Sequence, residues 1–186
     1  LIQMRSILAT ISLMVVVIIN GNLQVVTEPF DHSYQEFGRI LQTYVIGTRV
    51  DYAGLQKNKV TLDDIVEIFG QASAADLSNW TREQQISYWI NAYNAFTLQA
   101  VVNHYPIQRK SLGWFRKSLG WFDSTPRNSI RQISGVWNIL RWDAAGTTVT
   151  LNEIEHKILR VKYDEPLIHF AINCASVSCS PIQKDP

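Results

Sequence analysis

The stretch from Thr81 to His104 constrains the fold of this chain more than any other. Thr81 is followed three residues later by Gln84, the spacing of a capping box at a helix N-terminus, and Pro106 stops a helix soon after His104. Apolar residues recur between these ends at helical spacing and make a broad face: Ile86, Trp89, Ile90, Tyr93, Phe96, Ala100 and Val101. We therefore predict one long helix that is too apolar to form a solvent-facing surface.

A second stripe on this helix is mostly polar and consists of Glu83, Ser87, Asn91, Asn94 and Leu98. In one interpretation Asn91 and Asn94 are buried amides that hydrogen-bond to neighbouring loop backbone, the usual role of a buried amide. In the other, the stripe lines a site where the amides orient a substrate carbonyl or polarise an oxyanion. The pattern leaves both interpretations open.

Both cysteines lie in one segment, residues 168–181, with the sequence I-H-F-A-I-N-C-A-S-V-S-C-S-P. The chain from 167 to 172 is apolar except at His169, so we predict a buried strand over Leu167 to Asn173 that is covered on both faces. Small residues surround Cys174 in the turn that follows. They leave room for a thiol and backbone N–H groups to face a cleft.

The rest of the chain adds helices and a few short strands. We predict helices capped by Asp31 and Thr61, a turn at Gly47, a short strand from Thr147, and a helix that starts with a second capping box at Thr150. Helices precede strands instead of alternating with them. This order favours a helix-rich α+β domain packed on a small sheet over a doubly wound parallel sheet.

Length and charge bound the class of protein. The chain has 186 residues, 46% hydrophobic content and a net charge of +1, which fit one globular domain. This charge balance creates no field that would recruit nucleic acid, so we assign no nucleic-acid partner. We expect a small molecule or a peptide as the partner instead.

The N-terminus has the features of an export signal. Met4 and Arg5 precede an apolar run from Ser6 to Ile19, and its roughly fourteen residues suit a signal peptide but fall short of the roughly twenty that span a bilayer. We therefore expect a periplasmic or extracellular protein. Its predicted parts are a signal peptide or anchor at 1–22, a linker at 23–30 and a domain at 31–186, with membrane contact only through an uncleaved N-terminal segment.

Residues 109–115 and 116–122 are the same heptapeptide, R-K-S-L-G-W-F, in tandem. Two copies are too few for a solenoid, which needs at least about three units. We interpret them as a local duplication in a surface loop, since such loops tolerate insertion. A basic-aromatic patch that contacts a membrane or a polyanion is the alternative.

The residue types needed for thiol catalysis are present. Cys174 is the candidate nucleophile and His156 the first choice of general base, with Glu83, Asn91 and Asn94 as positioning groups. Three further residues, His169, Asn173 and Ser176, are predicted to contribute to binding. Papain-like and transglutaminase-like hydrolases use the same inventory on mixed folds, so the domain is similar to them in kind, with a distant relation in fold.

Other interpretations of these residues stay open. A Cys174–Cys179 disulfide would remove both thiols, and His169 on an apolar face is often a neutral core residue. A two-His, two-Cys zinc site could be formed by His156, His169, Cys174 and Cys179. These residues lack the closely paired cysteines of structural zinc sites, so we assign no metal and no cofactor. A non-catalytic binding or interaction domain is the alternative to a Cys/His-dependent hydrolase or acyl transferase.

Several motifs together resemble the family of domains of unknown function 547 (DUF547). They are W-I-N-A-Y-N-A at 89–95, I-E-H with I-L-R at 154–160, and H-F-A with N-C-A-S at 169–176, and the resemblance runs from about Phe37 to Pro181. The resemblance implies no settled activity. Relatives join the domain to leucine-zipper, glutaredoxin or signalling modules, which leaves both enzymatic and scaffolding roles open. The resemblance also implies that a C-terminal portion is missing, because family domains continue past the S-C-P-P segment, which here reads S-C-S-P.

Overall fold

The computed structural model of the chain describes residues 29–107, 129–176 and 179–186, and the backbone of two strands at 15–19 and 22–26. The tandem heptapeptide and most of the predicted export signal lie outside these residues. Residues 32–186 form one compact unit, and residues 1–31 form a separate one. Within the described ranges, no helix combines the length and the apolar character needed to cross a membrane.

The first unit contains an antiparallel hairpin of β1 (Val15–Ile19) and β2 (Asn22–Val26). The compact unit is rich in helices: α1 (Gln35–Tyr44), α2 (Tyr52–Lys57), α3 (Lys59–Gln71), α4 (Ala74–Asn79), α5 (Arg82–Asn103), α6 (Leu151–Glu153) and α7 (Ile168–Ala171). Its strands are β3 (Val45–Ile46), β4 (Arg49–Val50), β5 (Trp142–Ala144) and β6 (Thr147–Val149), which pair as two antiparallel hairpins. The α+β class predicted from the sequence is confirmed.

Helix α5 is the centre of the compact unit, and both of its predicted ends are confirmed. The Thr81 hydroxyl accepts from the Gln84 N–H at 3.2 Å, and the Gln84 side chain accepts from the Thr81 N–H at 2.9 Å. The helix is buried along most of its length from residue 88 to residue 102, because α2, α3 and the helix that follows α6 all pack against it. Because neighbours cover α5 on several sides, polar residues outside its main apolar face are buried as well.

One buried and one half-buried polar side chain, Tyr88 and Gln99, tie α5 to its neighbours. The Tyr88 hydroxyl donates to the Phe69 carbonyl at 2.6 Å and accepts from the Ala145 N–H at 2.9 Å, which joins α3, α5 and the turn between β5 and β6. The Gln99 amide donates to Asp63 at 2.7 Å and accepts from the Trp142 indole N–H at 2.8 Å. These bonds hold the β5–β6 hairpin against the helices.

The capping box predicted at Thr150 is confirmed, but the helix that it starts changes type. After Glu153 the chain continues as a π-helix over Ile154–Lys162. A π-helix forms i→i+5 hydrogen bonds, as the Tyr163 N–H does to the Ile158 carbonyl at 3.0 Å. Residues five apart therefore become neighbours on adjacent turns, a relation that the α-helical period does not predict.

The predicted strand over Leu167 to Asn173 is wrong, since this stretch contains helix α7. Ile168 and Ile172 are buried, whereas Leu167 and Phe170 are 64% and 71% exposed. The apolar run is therefore not covered on both faces. Its buried positions are four residues apart, which is the spacing of one face of a helix.

Two predicted helix caps are also wrong. Helix α3 begins at Lys59, two residues before Thr61, and helix α1 follows Tyr34 instead of Asp31. Neither helix has a side-chain hydrogen bond from its N-cap residue. Helix α3 packs against α5, and α1 packs against α3 and α2, so tertiary contacts stabilise both helices without the local signal from which we predicted their starts.

Candidate functional site

One open cavity of about 500 Å³ brings together most of the segments singled out in the sequence. Helix α5, the turn before β5, the π-helix, α7 and the cysteine-bearing loop all contribute to its wall. The lining residues are Tyr93, Trp137, Glu155, His156, His169, Phe170, Ile172, Cys174, Cys179 and Ser180. Three of the predicted site residues, His156, His169 and Cys174, thus share one cavity.

Asn94 of α5 holds the backbone that leads to Cys174. Its side-chain amide donates to the Ala171 carbonyl at 3.0 Å, and its carbonyl oxygen accepts from the Asn173 N–H at 2.8 Å. The side chain is 6% exposed, so water does not compete freely for these groups. The interpretation of Asn94 as a buried amide that serves loop backbone is confirmed.

The Asn173 side chain organises the loop itself. Its oxygen accepts from the Ala175 N–H at 2.8 Å, and its amide donates to the Ser180 carbonyl at 2.7 Å. Ala175 has a left-handed backbone with a φ of 53°. Asn173 therefore connects the two ends of the loop from inside instead of presenting its amide to the cavity.

Cys174 and Cys179 form a disulfide in the structure, with Cα atoms 6.1 Å apart. Cys174 therefore has no free thiol in this state, and the alternative of a short-range disulfide is the one observed. Both cysteines are half-buried and both line the cavity. A thiol role for Cys174 requires that this bond first be opened.

The π-helix places a carboxylate and a guanidinium side by side at the cavity. The Arg160 Nη2 donates to Glu155 Oε1 at 3.0 Å, across the five-residue spacing that a π-helix makes adjacent. The same Nη2 also contacts both ring nitrogens of His169. A guanidinium only donates and a neutral imidazole has a single acceptor nitrogen, so only one of these two contacts is a hydrogen bond.

His156 and Tyr93 approach Glu155 from other directions. His156 Nε2 lies 3.8 Å from Glu155 Oε1, and its side chain is 52% exposed. The Tyr93 hydroxyl donates to Glu155 Oε2 at 3.4 Å. Burial, together with the nearby Glu155 carboxylate, raises the pKa of Tyr93 well above its ordinary value, so the phenol keeps its proton at neutral pH.

Several predicted site residues lie away from the cavity wall. Glu83 is exposed in the first turn of α5, where hydrogen bonds from its own N–H and from Thr81 lower the pKa of its carboxyl. Asn91 is 3% exposed and buried in the helix packing, and Ser176 is exposed at the loop. None of the three lines the cavity.

Sequence reasoning missed Tyr93, Glu155, Arg160, Trp137 and Phe170 as site residues. Tyr93 was assigned to the apolar face of α5, although a Tyr often carries its hydroxyl to a polar partner. Glu155 and Arg160 are five residues apart, so only knowledge of the π-helix would have paired them. Trp137 and Phe170 enter the cavity wall through tertiary packing and carry no local signal.

A metal centre finds no support in the part of the chain that the structure describes. No group of three or more His, Cys, Asp or Glu side chains there is arranged to hold an ion. The Glu155 carboxylate is instead engaged by Arg160, with Tyr93 and His156 nearby.

Comparison with known proteins identifies the family. The model of a family described as protein of unknown function, DUF547, matches residues 77–184, which include α5, the π-helix, α7 and the cysteine-bearing loop. Neither the curated proteins nor the solved structures gave a significant match. Since the matched region covers more than half of the chain and every residue of the cavity wall, the chain belongs to the DUF547 family.

Proposed function

We propose that the cavity is the substrate site of a cysteine-dependent hydrolase or acyl transferase, which acts on an amide, peptide or thiol compound once Cys174 is reduced. The observation that carries this proposal is that Cys174, His156 and His169 line one open cavity of about 500 Å³. A thiol nucleophile needs a partly exposed position and an imidazole to take its proton. The cavity contains both.

His156 is the general base in this proposal. It is half-exposed, and the carboxylate 3.8 Å from its Nε2 stabilises the imidazolium that forms when it accepts the Cys174 proton. His169 is less suited, because the Arg160 guanidinium donates to the one ring nitrogen that could accept a proton. Its role is to complete the polar side of the substrate site.

The reaction follows from these groups. The Cys174 thiolate attacks the substrate carbonyl carbon, and the new C–S bond pushes the carbonyl electrons onto oxygen. The oxyanion collapses, the bond to the leaving amine, alkoxide or thiolate breaks, and His156 returns its proton to that group. Water, or an acceptor nucleophile in acyl transfer, then attacks the thioester and releases Cys174.

Tyr93 and Asn94 support this chemistry in different ways. Burial keeps the Tyr93 phenol protonated, and we assign its O–H, which donates to Glu155 at 3.4 Å in the structure, to the developing oxyanion once substrate is bound. Asn94 is a positioning residue, because it holds the backbone on both sides of Ile172 and touches no substrate. We assign no contact with substrate to Glu83 or Asn91.

A non-catalytic binding domain is the second candidate, and the Cys174–Cys179 disulfide favours it. With the bond closed, the cavity still presents the aromatic side chains of Trp137 and Phe170 beside the Glu155 carboxylate. Such a cavity can bind a ligand with an apolar group without reacting with it.

Two single variants separate these candidates. Cys179→Ser leaves Cys174 without its disulfide partner, and Cys174→Ser is the matched control with only Cys179 free. We expect iodoacetamide to label Cys179→Ser rapidly near neutral pH, with an apparent thiol pKa below about 8.5, and to label Cys174→Ser slowly. His156→Ala in the Cys179→Ser background should slow the labelling by at least about tenfold.

Acylation completes the test. With an activated ester such as p-nitrophenyl acetate, mass spectrometry should detect an acyl group on Cys174 of Cys179→Ser and none on the matched control. Equal, slow labelling of the two variants together with no acylation would refute the nucleophile and leave the binding domain.

We also propose that the protein is exported. The apolar run from Ser6 to Ile19 supports this proposal, and so does the disulfide, because disulfides persist in oxidising compartments. Fusion of alkaline phosphatase after residue 30 should give an active enzyme in bacterial cells, and deletion of residues 1–22 from the fusion should abolish its activity. Equal activity with and without these residues would contradict export.

A further inference from the structure

We infer that Cys179 is a site of reversible S-thiolation, at which a low-molecular-weight thiol opens the disulfide and releases Cys174. This inference rests on the proposed function, because that function requires a route from the disulfide to a free Cys174. It adds a second class of ligand for the cavity, a small thiol, and it names the sulfur that the thiol attacks.

Access to the disulfide is direct. Both cysteines are half-buried, and both line an open cavity that is large enough for a small thiol compound. A structural disulfide of a folded domain is usually shielded by its core, whereas both cysteines here keep part of their surface exposed. Thiol–disulfide exchange depends on such access.

The loop does not depend on the disulfide for its closure. The Asn173 amide donates to the Ser180 carbonyl at 2.7 Å, and these residues are the immediate neighbours of Cys174 and Cys179. The Asn94 side chain accepts from the Asn173 N–H and donates to the Ala171 carbonyl, so it holds the backbone just before the loop. Opening the S–S bond therefore leaves the hydrogen bonds that hold both ends of the loop.

The roles of the two cysteines in the proposed function determine which sulfur is attacked. In thiol–disulfide exchange the sulfur that leaves as the more stable thiolate leaves faster. Cys174 is the cysteine that His156 activates in the proposed function, so Cys174 is the better leaving group. Attack at Cys179 then places the mixed disulfide on the cysteine that catalysis does not use.

The exchange balances without any further oxidant or reductant. The thiolate of the small thiol attacks Cys179 Sγ, a new S–S bond forms between them, and the Cys174–Cys179 bond breaks with its electron pair on Cys174 Sγ. A second molecule of the thiol attacks the sulfur of the first thiol in the mixed disulfide. It releases the symmetrical disulfide of the small thiol and leaves Cys179 as a thiolate, which takes a proton from water.

Reduced glutathione is the probe for this reaction. The native wild-type protein is incubated with glutathione near neutral pH, quenched with acid, alkylated and mapped by peptide mass spectrometry. The expected product carries one glutathionyl group on Cys179 and an alkylated thiol on Cys174. A mixed disulfide on Cys174, or no reaction of the native protein while the urea-unfolded protein reacts, would overturn the inference.

Matched variants test the choice of leaving group. His156→Ala should slow opening of the disulfide by at least about fivefold, because the Cys174 thiolate loses its imidazole. Lys157→Ala changes an exposed neighbour on the same π-helix that does not line the cavity, and it should react at the wild-type rate. An unchanged rate in His156→Ala would overturn the assignment of Cys174 as the leaving thiolate.

The outcome is independent of the acyl-transfer assay. A glutathionyl group on Cys179 together with an unreactive Cys174 in the Cys179→Ser variant would refute the proposed function and keep the S-thiolation site. Acylation of Cys174 in that variant together with no exchange in the wild type would do the reverse.

Discussion

Replacing Asn94 with alanine tests whether one buried amide holds the cysteine-bearing loop against α5. The substitution leaves the Ala171 carbonyl and the Asn173 N–H without the partners that now lie at 3.0 and 2.8 Å. A buried backbone group without a hydrogen bond costs about 1–3 kcal/mol, so the two together should lower the free energy of unfolding by about 2–6 kcal/mol. For a domain of this size, about 3 kcal/mol corresponds to a fall in Tm of roughly 10 °C.

Urea unfolding followed by circular dichroism measures this change, and Asn103→Ala is the matched control. Asn103 lies on the same helix but is exposed, so its replacement should change stability by no more than about 0.5 kcal/mol. The slope of the unfolding curve should be the same for both variants, which would show that only stability has changed. If Asn94→Ala were as stable as Asn103→Ala, Asn94 would not be the anchor of the loop.

Three further predictions concern the cap, the phenol and the disulfide. Thr150→Ala should lower stability by about 1 kcal/mol in thermal unfolding, because the Glu153 N–H loses its acceptor at 3.2 Å, and an unchanged Tm would contradict this. The pKa of Tyr93 is higher in the folded protein than in the unfolded chain, so its contribution to stability is complete below about pH 10 and is lost as the pH rises through the folded-state pKa. Tyr93→Phe should therefore reduce the alkaline fall in stability and remove a late step from the phenolate absorbance titration. Replacing Cys174 and Cys179 together with alanine should lower the free energy of unfolding by about 2 kcal/mol, the chain-entropy value for so short a loop, and a variant as stable as wild type in urea would refute that account.

Local chemistry made several parts of the fold predictable. The capping boxes at Thr81 and Thr150 each need only two residues three apart, and both form as expected. The two ends of α5 follow from the first of these boxes and from Pro106. Asp31 and Thr61 show the limit of this reasoning, since a residue able to cap a helix is not used where packing starts the helix elsewhere.

The site was predictable only as a set of residue types. Cys174, His156 and His169 were singled out from the sequence and do share a cavity, whereas Glu83, Asn91 and Asn94 were selected from one polar stripe and do not line it. Helical spacing places residues on one face of a helix but does not say what that face meets at each turn. At Asn94 it meets backbone from a segment more than seventy residues later in the chain.

By itself, the sequence determined the long central helix, its two ends, the second capping box and the helix-rich α+β class, because each depends on residues close together in the chain. Only the tertiary structure decided the rest: α7 in place of a strand, the π-helix that makes Glu155 and Arg160 neighbours, and the Cys174–Cys179 bond. An apolar run is compatible with a strand or a helix until its buried positions are known, and a bond between nearby cysteines depends on the path of the loop between them. In this protein Asn94 and Asn173 hold that path, through contacts that no local pattern contains.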